Sequence, residues 1–279
     1  MGYPLSQYRP VLKWAGGKRQ LISALENHVP RRFNLYYEPF VGAGALLLHL
    51  YSSELISKAV ISDMNADLIA LYSVIKEDPY SLIKALQSLP FHNTSEDYYR
   101  ARDLFNESTD KLQRAALLIY LNRHSFNGLY RVNSRNEFNV PFGRYRNPTL
   151  PSREIILAFH RVLKSCTIYL KDFEETVRSA KEGDFVYLDP PYMPVSKTSS
   201  FTSYTSGAFS RKEQIRLFRV FRDLSNRGVY VLESNSDSEF IRGLYGEFKL
   251  IEIKARRNIN SDAARRTGRE VIIIGYESD

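Results

Sequence analysis

The chain has 279 residues, of which 43% are hydrophobic and 25% charged, and its formal net charge is +8. This composition is typical of a soluble globular protein with a large core, and no apolar stretch approaches the length of a membrane span. The single cysteine, Cys166, excludes an internal disulfide and a thiolate zinc cluster. Because Cys166 lies in an apolar run, we expect a small buried side chain in a reducing compartment, the cytoplasm.

The positive charge is concentrated in two stretches. Residues 111–147 contain seven lysines and arginines and one acid, and residues 254–269 contain six and one. The rest of the chain is therefore slightly acidic. Two basic clusters on an acidic body predict binding to a polyanion, with nucleic acid favoured over a merely solvated surface.

Strand and helix signals alternate to residue 65, helical patterns dominate residues 66–150, and the alternation returns from residue 151. This predicts an α/β sheet domain, residues 1–65 and 151–279, interrupted by a mostly helical domain, residues 66–150. In chain order, the first predicted elements are a helix at Lys18–Val29, a strand at Tyr36–Val41, a helix at Ala43–Leu50, a strand at Ala59–Ser62, and helices at Asp67–Lys76, Ser95–Phe105 and Lys111–His124. They are followed by strands at 166–170 and 184–188, a helix at Arg211–Asn226, a strand at 229–233, and an antiparallel hairpin of Phe248–Lys254 with Glu270–Tyr276.

The most informative residues are Asp189, Pro190, Pro191 and Tyr192, which follow the apolar strand 184–188. A carboxylate is thereby placed at the carboxyl end of a strand, where open α/β sheets bind ligands. The prolines leave local carbonyls free to accept hydrogen bonds, and the tyrosine offers a flat face. Acceptors beside an aromatic ring predict a pocket for the exocyclic amino group of a base. The alternative is a strand end on which Tyr192 simply packs.

A second site is predicted where the strand Tyr36–Val41 turns into a helix. Gly42 and Gly44 allow backbone to approach a ligand there, and Asp63 follows the next strand, where a carboxylate can bind ribose hydroxyls. Leu47 stands where the dinucleotide fingerprint has its third glycine, which argues against a nicotinamide cofactor. An adenosine without a pyrophosphate indicates S-adenosylmethionine. The alternative is that Asp63 caps the following helix.

Taken in order, these pieces resemble the Dam-type DNA adenine-N6 methyltransferases, the alpha group of amino-methyltransferases, whose recognition domain lies between the two halves of a Rossmann-like catalytic fold. The resemblance runs from about residue 11 to residue 276. It rests on Lys-Trp-Ala-Gly-Gly-Lys at 13–18, Glu-Pro-Phe-Val-Gly-Ala-Gly at 38–44, Ser-Asp-Met-Asn at 62–65, Leu-Asn-Arg through Asn-Gly-Leu-Tyr-Arg at 121–131, Glu-Phe-Asn-Val-Pro-Phe-Gly-Arg-Tyr at 137–145, Asp-Pro-Pro-Tyr at 189–192 and Phe-Thr-Ser-Tyr at 201–204.

The resemblance implies the site residues and the target. It places S-adenosylmethionine against Trp14, Lys18, Phe40, Gly42, Gly44, Asp63 and Asp189. It implies that the block at 127–145 reads GATC in double-stranded DNA, with Arg131 at the outer guanine and Leu129 and Pro141 near the thymine. Lys13, Asn139, Arg144 and Tyr145 are expected to contact the DNA nearby. Arginine is the usual bidentate reader of guanine, which fits these assignments.

The expected reaction is methyl transfer to adenine N6 after base flipping, with neither a metal nor a covalent intermediate. Three alternatives stay open: an N4-cytosine or RNA target, a DNA-binding regulator with an inactive methyltransferase fold, and a nicotinamide dehydrogenase. We expect a monomer in a bacterial or phage-infected cell, associated with the nucleoid and not with a membrane. Whether the enzyme protects DNA from a cognate restriction endonuclease or acts alone stays open. Nothing in the sequence accounts for Glu233, which ends an apolar strand, or for the loop 256–269.

Overall fold

The computed structural model describes residues 5–14, 21–192, 209–256 and 267–277. Contacts along the chain divide it into two units whose segments alternate in the sequence. The first unit comprises Met1–Gly17, Gly42–Ser57 and Asp63–Leu170, and the second comprises Lys18–Val41, Lys58–Ser62 and Lys171–Asp279. The predicted inserted domain, residues 66–150, falls within the first unit, and its boundaries stay a prediction.

The helices and strands alternate along most of the described chain. In chain order they are α1 (Ile22–Glu26), β1 (Tyr36–Glu38), α2 (Ala45–Ser52), β2 (Ala59–Asp63), α3 (Ala66–Glu77), α4 (Pro79–Gln87), α5 (Ser95–Glu107), α6 (Lys111–His124), α7 (Arg153–Lys164), β3 (Cys166–Leu170), α8 (Phe173–Val177), β4 (Phe185–Leu188), α9 (Arg211–Asn226), β5 (Tyr230–Ser236), α10 (Glu239–Leu244), β6 (Lys249–Arg256) and β7 (Thr267–Ile274).

The second unit is built on a sheet in which neighbouring strands follow the order β2-β1-β4-β5-β7-β6. β1 pairs in parallel with β2 and β4, and β4 pairs in parallel with β5. β7 runs antiparallel to both β5 and β6. Every residue of β1 and β4 is buried, as expected for parallel strands covered on both faces. The predicted α/β fold with a terminal antiparallel hairpin is confirmed.

The core of the second unit forms between this sheet and α9. Ser210 caps α9, because its side chain accepts a hydrogen bond from the Glu213 backbone. Leu217 and Phe221 are fully buried in one apolar cluster with Val186 and other strand residues. Burial of each such side chain stabilises the fold by about 1.5–3 kcal/mol. This packing holds the carboxyl end of β4 in place.

The first unit is mostly helical, and α6 lies at its centre. Residues 115–122 of α6 are all buried, because the helix packs against α3, α4 and α5. Short polar side chains begin these helices: Asn65 caps α3, Thr94 caps α5 and Asp110 caps α6. In the part of the chain that the structure describes, no helix combines the length and apolar character needed to cross a membrane.

The observed bounds agree with the predicted ones where local signals are strong. α6, α9 and β3 occupy the predicted residues, and Cys166 is buried as expected. β1 ends at Glu38, earlier than predicted, because Pro39 follows it and cannot donate a backbone hydrogen bond. The hairpin strands extend further into the basic loop than predicted. The sequence reading missed α4, α7, α8 and α10, and the start of the helix predicted at Lys18–Val29 lies outside the described residues.

Candidate active site

The Asp-Pro-Pro-Tyr segment comes directly after β4, at the carboxyl end of that strand. Asp189 and Tyr192 are partly buried, Pro190 is buried and Pro191 is exposed. The Tyr192 hydroxyl donates a 2.7 Å hydrogen bond to the Oε2 atom of Glu270 in β7. Burial, followed by the charges of Asp189 and Glu270, raises the pKa of the Tyr192 hydroxyl well above its ordinary value. The hydroxyl therefore stays protonated and keeps its bond to Glu270.

Among the described residues, three buried carboxylates lie in the strands of the sheet. Glu38 ends β1, Glu233 lies in β5 opposite Leu188, and Glu270 lies in β7 opposite the last residue of β5. Their exposed fractions are only 3%, 0% and 9%, respectively. Carboxyl groups this deeply buried need hydrogen bonds, and Glu38 accepts one of 2.9 Å from the Tyr36 hydroxyl.

The structure accounts for Glu233, which the sequence left unexplained. Its Oε1 atom accepts a 2.8 Å hydrogen bond from the Asn235 amide, and its Oε2 atom accepts one of 2.8 Å from the Tyr245 hydroxyl. Burial raises the pKa of Glu233 to about 8, with a smaller upward effect from the charge of Asp189, while the two hydrogen bonds oppose the rise. Glu233 is therefore mostly neutral at pH 7.

A buried amide continues this network toward the Asp-Pro-Pro-Tyr segment. The Asn235 amide also donates a 3.0 Å hydrogen bond to the Oε1 atom of Gln214, a residue of α9. The Gln214 amide in turn donates to the carbonyl oxygen of Pro191 at 3.4 Å. Gln214 and Asn235 are fully buried. The carbonyl of the second proline is thereby joined to the interior of the second unit.

The predicted glycine turn lies in the first unit, and its backbone has left-handed dihedral angles. Gly42 has φ +45° and Gly44 has φ +68°, values that favour glycine. The Gly42 N–H donates a 3.1 Å hydrogen bond to the Asp63 carboxylate, and the Tyr72 hydroxyl donates to the Gly42 carbonyl. A Cβ atom on Gly42 would lie 3.0 Å from the Trp14 ring. The turn, Trp14 and Asp63 are therefore brought together.

Asp63 is not the cap of the helix that follows it. Its Oδ1 atom accepts a 2.9 Å hydrogen bond from the Asn65 backbone, whereas Asn65 itself caps α3 by accepting from the Leu68 backbone at 3.0 Å. Burial raises the pKa of the Asp63 carboxyl, and the hydrogen bonds from backbone N–H groups oppose that rise. Asp63 thus stands beside the glycine turn with backbone donors fixing its orientation.

Phe40, which the resemblance assigns to the cofactor, packs among aromatic residues of the second unit. The Phe40 ring stacks on Phe173 in the second unit, with ring centroids 5.3 Å apart, and meets Phe209 edge-on. Lys18 lies outside the described residues, as do the matched segment 201–204 and most of the basic loop 256–269.

The predicted DNA-reading block forms a looped segment in the first unit. Isolated bridges join Ser125 to Phe142 and Val132 to Phe138. Within this loop the exposed Arg131 donates from Nε to the Asn139 Oδ1 atom at 2.7 Å and from Nη2 to the Asn139 carbonyl at 3.0 Å. The structure therefore brings these two predicted DNA contacts together.

The remaining predicted DNA contacts are placed as follows. The Lys13 ammonium lies 4.5 Å from the centroid of the Tyr145 ring, a cation–π contact. Burial, with a smaller effect from Arg123, lowers the pKa of Lys13. Pro141 and Arg144 are exposed, and Leu129 is partly buried.

Sequence reasoning missed three side chains that support these sites. Glu270 holds Tyr192, Tyr130 stacks on Trp14 with ring centroids 5.8 Å apart, and the Asn122 amide bonds the backbone of Lys13. Tyr130 stood within the matched block, between two predicted DNA contacts. The other two make contacts with residues distant in the sequence, so no local pattern identified them.

Comparisons with known proteins identify the family. The sequence model of the D12 class N6 adenine-specific DNA methyltransferases matches residues 14–259. The chain is 42% identical to the type II methyltransferase M1.LlaDCHI of Lactococcus lactis subsp. cremoris, over 96% of this chain and 95% of the relative. It is 40% identical to the type II methyltransferase M.MjaIII of Methanocaldococcus jannaschii, over 97% and 100%, and 37% identical to the DNA adenine methylase of Escherichia coli K12, over 98% and 97%.

The chain belongs to the D12 class of N6 adenine-specific DNA methyltransferases. The prediction of a Dam-type DNA adenine methyltransferase, and thus of an enzyme, is confirmed. In this methyltransferase the Asp-Pro-Pro-Tyr segment lies in the second unit, and the glycine turn with Trp14 and Asp63 lies in the first.

Proposed function

We propose that this methyltransferase transfers a methyl group from S-adenosylmethionine to N6 of adenine within GATC in double-stranded DNA. The target adenine is flipped out of the helix into a pocket at Asp189, Pro190, Pro191 and Tyr192, because its amino group is unreachable within the stack. The observation that carries this proposal is the Tyr192 ring, tied to Glu270 directly after the buried strand that delivers Asp189.

The first unit has residues that fit S-adenosylmethionine. Asp63 offers a carboxylate suited to two ribose hydroxyls, Trp14 offers an aromatic face, and the turn at Gly42 brings backbone close to both. A side chain on Gly42 would press on the Trp14 ring and would be strained by the positive φ of this position. Gly44 and Lys18 are assigned to the same site by resemblance, as are Phe40 and Asp189. When bound, S-adenosylmethionine supplies an electrophilic methyl group on a sulfonium.

The residues of the second unit prepare the acceptor nitrogen. The Tyr192 ring stacks on the flipped adenine, since aromatic rings bind each other face to face with an offset. The Asp189 carboxylate and the Pro190 carbonyl accept hydrogen bonds from the two amino hydrogens. These bonds draw the nitrogen lone pair out of conjugation with the ring and direct it to one side. Positioning and preorganised acceptors thus lower the barrier.

The loop at 127–145 reads the recognition site in this proposal. Arg131 binds the outer guanine through the N–H groups that Asn139 does not use, and Asn139 holds the guanidinium in orientation. Leu129 and Pro141 pack near the thymine methyl group. Lys13, Arg144 and Tyr145 contact the DNA alongside, where cations mainly bind phosphates.

The proposed biological setting follows from the same assignments. Residues 1–65 and 151–279 act as the catalytic domain and residues 66–150 as the recognition domain. The enzyme works in the cytoplasm as a monomer on nucleoid or phage DNA. A role beside a cognate restriction endonuclease fits the two relatives named type II methyltransferases, and a solitary role fits the one named DNA adenine methylase.

The experiment that tests the proposed reaction is transfer from methyl-labelled S-adenosylmethionine, followed by digestion of the DNA and separation of its nucleosides. The label should be recovered as N6-methyladenine. Asp189→Ala should reduce transfer by a factor of about 10² or more while DNA binding stays within a few-fold. Label in N4-methylcytosine, or near-normal turnover by Asp189→Ala, would contradict the proposal.

A further inference from the structure

Tyr130 lies between two predicted DNA contacts, Leu129 and Arg131. Arg131 is exposed, whereas Tyr130 is partly buried. The Tyr130 ring stacks on Trp14 at a centroid distance of 5.8 Å and an interplanar angle of 24°. The DNA-reading loop thus rests on the predicted cofactor tryptophan.

The Tyr130 hydroxyl is fixed to the helix that begins beside Asp63. It donates a 2.6 Å hydrogen bond to the Asp67 carboxylate in the first turn of α3. Asp67 is itself held by Arg114, with an Nη2 to Oδ1 distance of 2.6 Å. Burial, followed by the bond to Asp67, raises the pKa of the Tyr130 hydroxyl. The hydroxyl therefore remains a donor across the working pH range.

Asn122 makes a second link between the segment that contains Trp14 and the segment that contains Tyr130. Its Oδ1 atom accepts a 2.7 Å hydrogen bond from the Lys13 N–H, and its amide donates to the carbonyls of Lys13 and Gly128 at 2.8 and 2.9 Å. Asn122 is 1% exposed. Residue 13 precedes Trp14 and residue 128 precedes Leu129, so Asn122 fixes the positions of the two backbones just before these residues.

We propose that Tyr130 is a positioning residue that couples cofactor binding to DNA reading in this enzyme. A ligand that orders Trp14 also orders the ring stacked on it, and therefore the flanking Leu129 and Arg131. Asn122 keeps residue 13 and residue 128 together through hydrogen bonds to their backbones. The inference rests on the proposed function, which assigns Trp14 to the cofactor and Leu129 and Arg131 to DNA.

The test is a binding cycle. The dissociation constant for a GATC duplex is measured with and without S-adenosylhomocysteine, the demethylated product, for the wild type, Tyr130→Leu and Tyr130→Phe. The wild type should bind DNA about fivefold or more tightly when the probe is bound, and bound DNA should increase the affinity for the probe by the same factor, the coupling factor. Tyr130→Leu, which lacks the stack, should reduce that factor to about one, and Tyr130→Phe, which lacks only the bond to Asp67, should give an intermediate factor.

Tyr99→Leu is the matched control. Tyr99 is an exposed tyrosine of α5 that meets the Tyr98 ring edge-on, so its loss should leave the coupling factor and the transfer rate unchanged. A wild-type factor of one, or an unchanged factor in Tyr130→Leu, would overturn the proposal. If Tyr130→Leu does not fold, an unchanged factor in Tyr130→Phe overturns it. The proposed function is judged separately, by methyl transfer from the wild type to the same duplex.

Discussion

Tyr192 and Glu270 are joined by a 2.7 Å hydrogen bond between side chains 78 positions apart in the sequence. The bond fixes the tilt of the aromatic ring that follows Asp189. Because Glu270 is almost fully buried, the bond lies in a poorly solvated place, where a hydrogen bond is stronger than at a surface.

Removing this bond should lower the rate of methyl transfer. Tyr192→Phe and Glu270→Ala should each reduce kcat by about tenfold, equivalent to roughly 1.4 kcal/mol, since the ring loses its preferred orientation. Because both changes break the same contact, the double variant should be little worse than either single variant. Single-turnover rates with DNA in excess measure this directly. If the rate reduction in the double variant equals the product of the two single reductions, the two side chains act independently.

Changing Asp63 should weaken cofactor binding more than DNA binding. Both Asp63 oxygens accept hydrogen bonds from backbone N–H groups, those of Gly42 and Asn65. In Asp63→Asn the side-chain NH2 group would face one of these N–H groups and could not accept its hydrogen bond. We expect the KM for S-adenosylmethionine to rise by about tenfold or more, the equivalent of one lost charged hydrogen bond. Asp78→Asn is the control, because Asp78 caps α4 and asparagine caps equally well. Equal effects of the two changes would contradict the role of Asp63.

The buried carboxyl of Glu233 predicts a pH dependence of stability. An unfolded glutamate has a pKa of about 4.3, whereas burial raises the pKa of Glu233 to about 8. Between these values the folded state holds a proton that the unfolded state releases, so stability falls as pH rises from about 4.3 through about 8. Glu233→Gln should flatten this fall in the free energy of unfolding, measured with urea at several pH values. Glu247→Gln, at an exposed position, should leave the fall unchanged. Equal slopes of the free energy of unfolding against pH in the wild type and both variants would contradict the role of Glu233.

Arg131 should determine discrimination at the outer guanine. Arg131→Ala should reduce the preference for guanine at that position by about 1–3 kcal/mol, with a smaller loss for Asn139→Ala because it removes only the side chain that orients the guanidinium. Arg135→Ala removes the same charge from the same loop, where Arg135 pairs with Glu137. Methyl-transfer rates on duplexes with single base changes should differ between the Arg131→Ala and Arg135→Ala enzymes. Identical rates for the two variants on every duplex would exclude Arg131 as the residue that recognises the outer guanine.

The sequence predicted those features of the fold that depend on local pattern. The strand before Asp189 is a short apolar run ended by prolines, and α6 and α9 show long helical patterns, so each was placed within a residue or so. β1 was predicted too long because apolar residues continue past Glu38 into the turn.

Long-range partners of the site could not be predicted in this way. Glu270 is brought to Tyr192 only when β7 pairs with β5, and a single sequence carries no periodic signal for such pairing. The contact of Tyr130 with Trp14 is similar, since more than a hundred residues separate the two rings in the chain.

Methyl transfer from labelled S-adenosylmethionine should be compared on two duplexes, one containing GATC and one with its outer guanine replaced. Label is expected in the first duplex only, recovered as N6-methyladenine. Equal labelling of both duplexes would contradict the assignment of the loop at 127–145 as the reader of GATC. Tight DNA binding with no labelling of either would contradict the proposed transferase activity itself.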